Sequence, residues 1–199
     1  DWANFIGMYK REKEKQEYRM LMAKADTEFT RAVQIAGESL SFVKADTLED
    51  WAWVYHLRYA YRDQMGEKAS EALFQQAEDK LDQAKECLRG FEVRIESGLE
   101  GHLYLGKIHY QRAHLMKFLE DWEEVARNYA LAAIYLETYS SEAEELKELL
   151  LGIESWLGRF PEAEIRHLCE VMTGVLSEKE KEGWKSGALR GWIDDVILM

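Results

Sequence analysis

The chain predicts an all-α protein built from antiparallel helical hairpins. Apolar residues recur at i, i+3, i+4 and i+7 almost throughout, and no stretch alternates apolar and polar as a half-buried strand does. Pro161 is the single proline in 199 residues, so helices can run long. The candidate connections are about two to five residues long, the length that joins antiparallel neighbours. A compact helical bundle is the alternative arrangement of the same elements.

The elements follow in order. Trp2, Phe5, Ile6 and Tyr9 open an amphipathic stripe that resumes at Tyr18, Leu21, Met22 and Ala25 and continues through Phe29, Ala32, Val33, Ala36, Leu40 and Val43. This predicts one long helix, or two nearly coaxial ones with Asp26-Thr27 as a cap. Asp46-Thr47-Leu48-Glu49 has the form of a capping box and predicts the start of the next helix, which ends near Gly66. A further helix runs from about Ala69 through Leu73, Ala77, Leu81, Ala84, Leu88 and Phe91, until Ser97-Gly98 breaks it. Leu99 to Leu119 and Asp121 to Tyr139 are the next two. Ser140-Ser141 with Glu144 predicts a cap for a sixth helix, ending near Gly158, and Pro161 sits at a typical first helical position for a seventh. The segment from Glu178 to Met199 is interrupted by Gly183, Gly187 and Gly191, and its Leu189, Trp192, Ile193, Val196, Ile197 stripe should dock on the preceding hairpin as a terminal cap. No linker is visible, so residues 1–199 are expected to form one domain. Asp1 stands where a Met would, which fits a chain that is a fragment of a longer one.

Composition bounds the function. An apolar share of 47% and an aromatic share of 12% can offset chain entropy and argue against disorder. The net charge of −12 is uneven: residues 120–182 hold 6 basic and 16 acidic side chains, whereas residues 1–119 are nearly balanced. Nucleic acid is an unsuitable partner for such a surface. The acidic stretch is either a solvated face or an interface for a basic partner. Cys87 and Cys169 are far apart and lie in helical apolar patterns, so buried reduced thiols and a cytoplasmic location are expected. No apolar run reaches membrane-spanning length, and no signal peptide is visible.

No reaction chemistry stands out. His56, His102, His109, His114 and His167 carry no complementary ligand spacing; His102 and His109 share a face, yet no Glu or Cys completes it. Asp194-Asp195 and Glu123-Glu124 are adjacent on helices and point apart. His167 and Cys169 diverge for the same reason. No metal, cofactor or catalytic residue is expected. Tyr55, Arg58, Tyr59 and Arg62 stand out instead, because neighbouring turns pair aromatic rings with guanidinium groups, a combination suited to recognition. The competing reading is aromatics in the core with basic side chains snorkelling from it.

A small–bulky–small motif recurs as Ala25, Phe29, Ala32; as Ala77, Leu81, Ala84; as Val125, Tyr129, Ala132; and, degraded, as Ala163, His167, Glu170. Residues 106–139 add an acidic-aromatic turn at Asp121-Trp122 before the Val125 face. That unit resembles the tetratricopeptide repeat, a helical hairpin of about 34 residues. It departs from the family at His109, Arg112 and Ala113 in the first helix, at Glu120 in place of the turn glycine, and at Glu137 in place of the closing proline. The resemblance implies a stacked array with lengthened helices and a non-enzymatic adaptor or regulatory module that binds a partner peptide or helix. It puts the ligand-facing positions at Lys107, Tyr110, His114, Lys117 and Phe118. Side by side with Tyr55, Arg58, Tyr59 and Arg62, these would line a concave groove for an extended, partly acidic peptide. A chaperone-like protein holding a client is the rival within the binding class, and an enzyme with a pocket invisible in sequence is a third reading.

Overall fold

The computed structural model describes residues 14–37, 41–65, 70–96 and 98–197. The Trp2–Tyr9 stripe, Leu40, Gly66, Ala69, Ser97 and Met199 lie outside the described residues. Among those described there is no strand, and eight α-helices carry the fold. They are α1 (Glu14–Ala36), α2 (Ser41–Met65), α3 (Ser70–Cys87), α4 (Glu100–Met116), α5 (Trp122–Tyr139), α6 (Glu144–Leu157), α7 (Glu162–Lys181) and α8 (Gly187–Ile197). The chain divides into two compact units, residues 1–87 and 88–199.

In the first unit α2 packs on both α1 and α3. Helix α1 ends earlier than its stripe suggests, at Gly37, whose φ of 55° only glycine takes without cost. The capping-box reading at Asp46 is corrected: α2 already begins at Ser41, so Asp46 to Glu49 are interior. Thr47 bonds back to the Val43 carbonyl at 2.7 Å, the mid-helix habit of threonine. Asp26-Thr27 is no cap either, and Thr27 bonds in the same way to Ala23. Helix α3 buries Leu73, Ala77, Leu81 and Ala84 and stops at Cys87, short of the expected Phe91. Cys87 is half-buried, whereas Cys169 of the second unit is fully buried.

The second unit is organised around α5. Helices α4, α6, α7 and α8 all pack against it. Eleven of its eighteen residues are buried, among them Val125, Ala126, Tyr129, Ala132, Ala133, Ile134 and Leu136. The faces that its neighbours cover are mostly apolar, and its alanines let those neighbours approach closely. One close approach is at Gly106 of α4, where a methyl group would meet Leu136 Cγ at 2.6 Å and the Ala132 carbonyl oxygen at 3.3 Å. Contacts between α4 and α5 run in opposite order along the two helices: His102 meets Tyr135, Gly106 meets Ala132 and Leu136, and Tyr110 meets Tyr129.

The joint between them is a 3-10 turn, Lys117–Leu119, followed by Glu120 in the left-handed region at φ 55°. Asp121 then caps α5 by accepting the Glu124 amide at 3.1 Å. The cap expected at Ser140-Ser141 is displaced: α6 starts at Glu144 behind Ala143, and Ser140 Oγ accepts the Glu142 amide within the preceding turn. Pro161 stands one place before α7 rather than at its first residue. Helix α8 docks as expected, packing on α7 and α5 and burying Leu189 and Ile193. Glu137 of α5 accepts the Ala188 amide at 3.0 Å and so caps α8. Glu180 holds Arg190 through two bonds of 2.8 Å.

The recurring motif has unequal fates. Ala77, Leu81, Ala84 and Val125, Tyr129, Ala132 are buried. Ala25, Phe29 and Ala32 line an open apolar groove of about 440 Å³ in the first unit. Ala163, His167 and Glu170 are exposed.

Two substitutions test this hairpin from opposite directions. Glu120→Gly should stabilise the protein by about 1 kcal/mol, because a left-handed φ costs an L-residue roughly that much. Gly106→Ala should destabilise it by about 1–3 kcal/mol through overpacking, although alanine is the better helix former. Denaturant midpoints at unchanged slope measure both.

Candidate functional site

The eight residues singled out from sequence fall four in each unit. In the first, α1 and α2 converge on Asp26. Its carboxylate accepts Trp51 Nε1 at 2.8 Å, pairs with Arg58 at 3.6 Å and takes a hydrogen bond from the Tyr55 hydroxyl. Tyr55 is buried and stacks on Trp51, and the Arg58 guanidinium lies 5.4 Å from its ring. Burial, with the Asp26 charge behind it, pushes the Tyr55 hydroxyl up to about 12. Lys80 of α3 sits 3.7 Å over the Trp51 ring, and Phe29 stacks on the same indole. Tyr59 meets Phe74 edge-on. Arg62 belongs to α2, but its side chain lies outside the described residues. Asp26 was considered in the sequence only as a cap; nothing in the spacing of α1 marks it as the acceptor for three groups of α2.

In the second unit Lys107, Tyr110 and His114 of α4 and Lys117 of the turn after it are all half-buried. The Lys107 ammonium is 5.4 Å from the Tyr104 ring. Tyr110 and His114 meet edge-on at 4.6 Å, and both lean on Tyr129 of α5 at 6.1 and 6.3 Å. The Tyr110 hydroxyl also reaches α6, where a methyl group at Gly152 would lie 3.6 Å from it. Burial first, and the Glu148 charge second, raise its pKa. Lys117 donates a hydrogen bond to the Tyr129 hydroxyl and lies 5.0 Å from the ring centroid. Burial, aided by the neighbouring Arg159 charge, pulls the Lys117 ammonium down to about 8. Trp156 closes the cluster against Tyr129 at 5.3 Å, and Phe160 bridges Trp156 and Trp122. Phe118 and Leu119 are exposed beside it.

Tyr129 and Trp156, both buried, back this surface and Gly152 lies against it; none of the three was singled out as its neighbour. Gly152 did carry a signal: a glycine inside a strongly apolar helix marks a close approach. The charge of Glu148 on α6 acts on Tyr110, and that of Arg159, just past the helix, acts on Lys117.

His102 and His109 serve the core. His102 is fully buried, donates from Nε2 to the Arg94 carbonyl at 2.7 Å and packs among Phe91, Tyr135 and Trp184. His109 is buried with Nδ1 2.9 Å from Asn128 Oδ1, while the Asn128 amide donates to Glu124. The amide orientation makes Nδ1–H the donor in that pair. No group of three or more His, Cys, Asp or Glu placed to hold a metal occurs among the described residues. No helix among them is long and apolar enough to cross a membrane. No family model, curated protein or solved structure matches the chain.

The buried His102 sets a pH dependence. Burial lowers its pKa in the fold, and the Arg94 and Phe91 carbonyls and the Glu96 charge only partly oppose this. Below the unfolded value of about 6.5 the unfolded chain binds the extra proton first. The contribution of neutral His102 is then fully present above pH ~6.5 and lost as pH falls towards its native pKa. Stability measured across that window should decline with acidification, and His102→Phe should flatten the decline.

Proposed function

We propose that the protein is a non-enzymatic interaction module that holds a segment of a partner protein on the α4–α6 surface of its second unit. The observation that carries this is the half-exposed run of Tyr110, His114 and Lys117, backed by Tyr129 and Trp156. Rings held on rigid helices offer contact area at low entropic cost, and a basic group at one end orients what binds. The tetratricopeptide-like reading supports the same surface. Small–bulky–small packing is buried at Val125, Tyr129 and Ala132, and Glu120 takes the left-handed conformation where that repeat has glycine. The positions that the resemblance makes ligand-facing on α4, Lys107, Tyr110 and His114, are all partly accessible.

The surface of α2 fits the proposal less well, because Tyr55 and Arg58 are engaged by Asp26. The module therefore uses Lys107, Tyr110, His114 and Lys117 first.

The test is capture of the partner from native cells with the full chain, followed by affinity measurement on the purified pair. Replacing Tyr110 and His114 together with alanine should weaken binding roughly tenfold or more, as loss of central aromatic anchors does, while circular dichroism stays helical. Binding should also weaken with added salt. Unchanged affinity of the double variant would overturn the assignment and turn attention to the acidic surface of residues 120–182.

A further inference from the structure

The apolar copies of the small–bulky–small motif are covered twice and open once. Ala77, Leu81 and Ala84 are at most 1% exposed, and Val125, Tyr129 and Ala132 are fully buried beneath neighbouring helices. Ala25, Phe29 and Ala32 are only half-buried and line the apolar groove of about 440 Å³, with Met22 and Val54 buried beside them. Its described walls come from α1 and α2 alone, and Lys80 of α3 lies over Trp51 instead. Along α1 the groove runs from Met22 to Ala32, about 15 Å at the helical rise. Small residues flanking a bulky one form the seat of a packed helix elsewhere in this chain. Here the same face forms a seat that no described helix fills.

We propose that this groove is the docking site of the chain's own segment Trp2–Tyr9, laid antiparallel on α1 as a two-turn helix. Trp2, Phe5, Ile6 and Tyr9 fall at i, i+3, i+4 and i+7, the spacing of one helix face. A helix that short does not hold by itself in water and needs a surface to pack on. The sequence after it opposes a straight run into α1, because Lys10 to Glu17 contains no apolar residue to turn towards a core for two turns. Phe29 meets Trp51 and Asp26 meets Arg58, so α1 and α2 are antiparallel and α2 ends, at Met65, about level with the start of α1 at Glu14. A straight run would carry the four apolar side chains past that end. Folding back is within reach. The level of Met22 lies about 12 Å along the axis from Glu14. A neighbouring helix sits about 8–10 Å aside, which makes a path of about 15 Å. The stretch from Tyr9 to Glu14 extends to about 17 Å. Tyr9 then lies against Met22 and Trp2 towards Ala32, with Lys10 to Lys13 as the polar connection. A tether this short gives the chain's own segment an effective concentration that a separate helix does not reach.

The experiment reads the methyl groups of Ala25 and Ala32 by nuclear magnetic resonance in the alanine-labelled full chain. Both should show nuclear Overhauser contacts to the rings of Trp2, Phe5 or Tyr9, and ring-current shifts with them. Phe5→Asp together with Ile6→Asp puts charge on the docking face. In that variant the contacts should vanish, both methyl signals should move, the denaturant midpoint should fall, and an apolar dye should gain fluorescence, while circular dichroism keeps α1 to α8 helical. Asn4→Asp, off the apolar stripe, should change none of these. A peptide of residues 1–13 added to the double variant should return the methyl signals towards their original positions, and only at high concentration because the tether is gone. A sample mixed from labelled and unlabelled chains separates self-docking from exchange between copies. Contacts seen only between chains overturn self-docking and make a second copy the occupant. Methyl signals without contacts to the segment and unmoved by the double variant overturn the docking site.

Discussion

The second unit depends on one largely buried helix. Trp122–Tyr139 has four helices packed against it, so the side chains it turns to them are mostly small or apolar, while Glu123 and Arg127 stay exposed. Ala126, Ala130, Ala132 and Ala133 set how near the neighbours come, and Gly106 answers them from α4. Several of its polar residues have a role. Asn128 links Glu124 to His109, Tyr129 offers its hydroxyl to Lys117, and Glu137 caps α8. The candidate binding surface inherits its rigidity from this helix, because Tyr129 is both a core residue and the floor beneath Tyr110, His114 and Lys117.

Much of the fold was legible, and the exceptions are instructive. Helix type followed from the apolar period, which packing enforces. Boundaries followed local chemistry only where that chemistry is used. Asp121 and Gly37 behave as their residue types suggest, one as an N-cap and the other as a left-handed stop. Asp46-Thr47-Leu48-Glu49 has equally good capping chemistry, yet Ala45 and Leu48 are both fully buried, and helix packing carries the chain straight through it. Asp26 shows the same override. A residue that would cap an isolated helix is instead drawn to Trp51 and Arg58 of the next one.

The site was legible along α4 and opaque across it. Spacing on one helix shows that Lys107, Tyr110, His114 and Lys117 can share a side. It carries no information on which distant residues face them. Gly152 and Arg159 lie about 40 residues away, and nothing periodic connects them to α4.

Native-state hydrogen exchange tests the claim that α5 is the element on which the second unit rests. If it is, the amides of Val125 to Leu136 exchange slowest and only through global unfolding of that unit, while α7 and α8 open at lower free energy. Amides of α5 that exchange as fast as those of α8, with a more protected core elsewhere in residues 88–199, would contradict it.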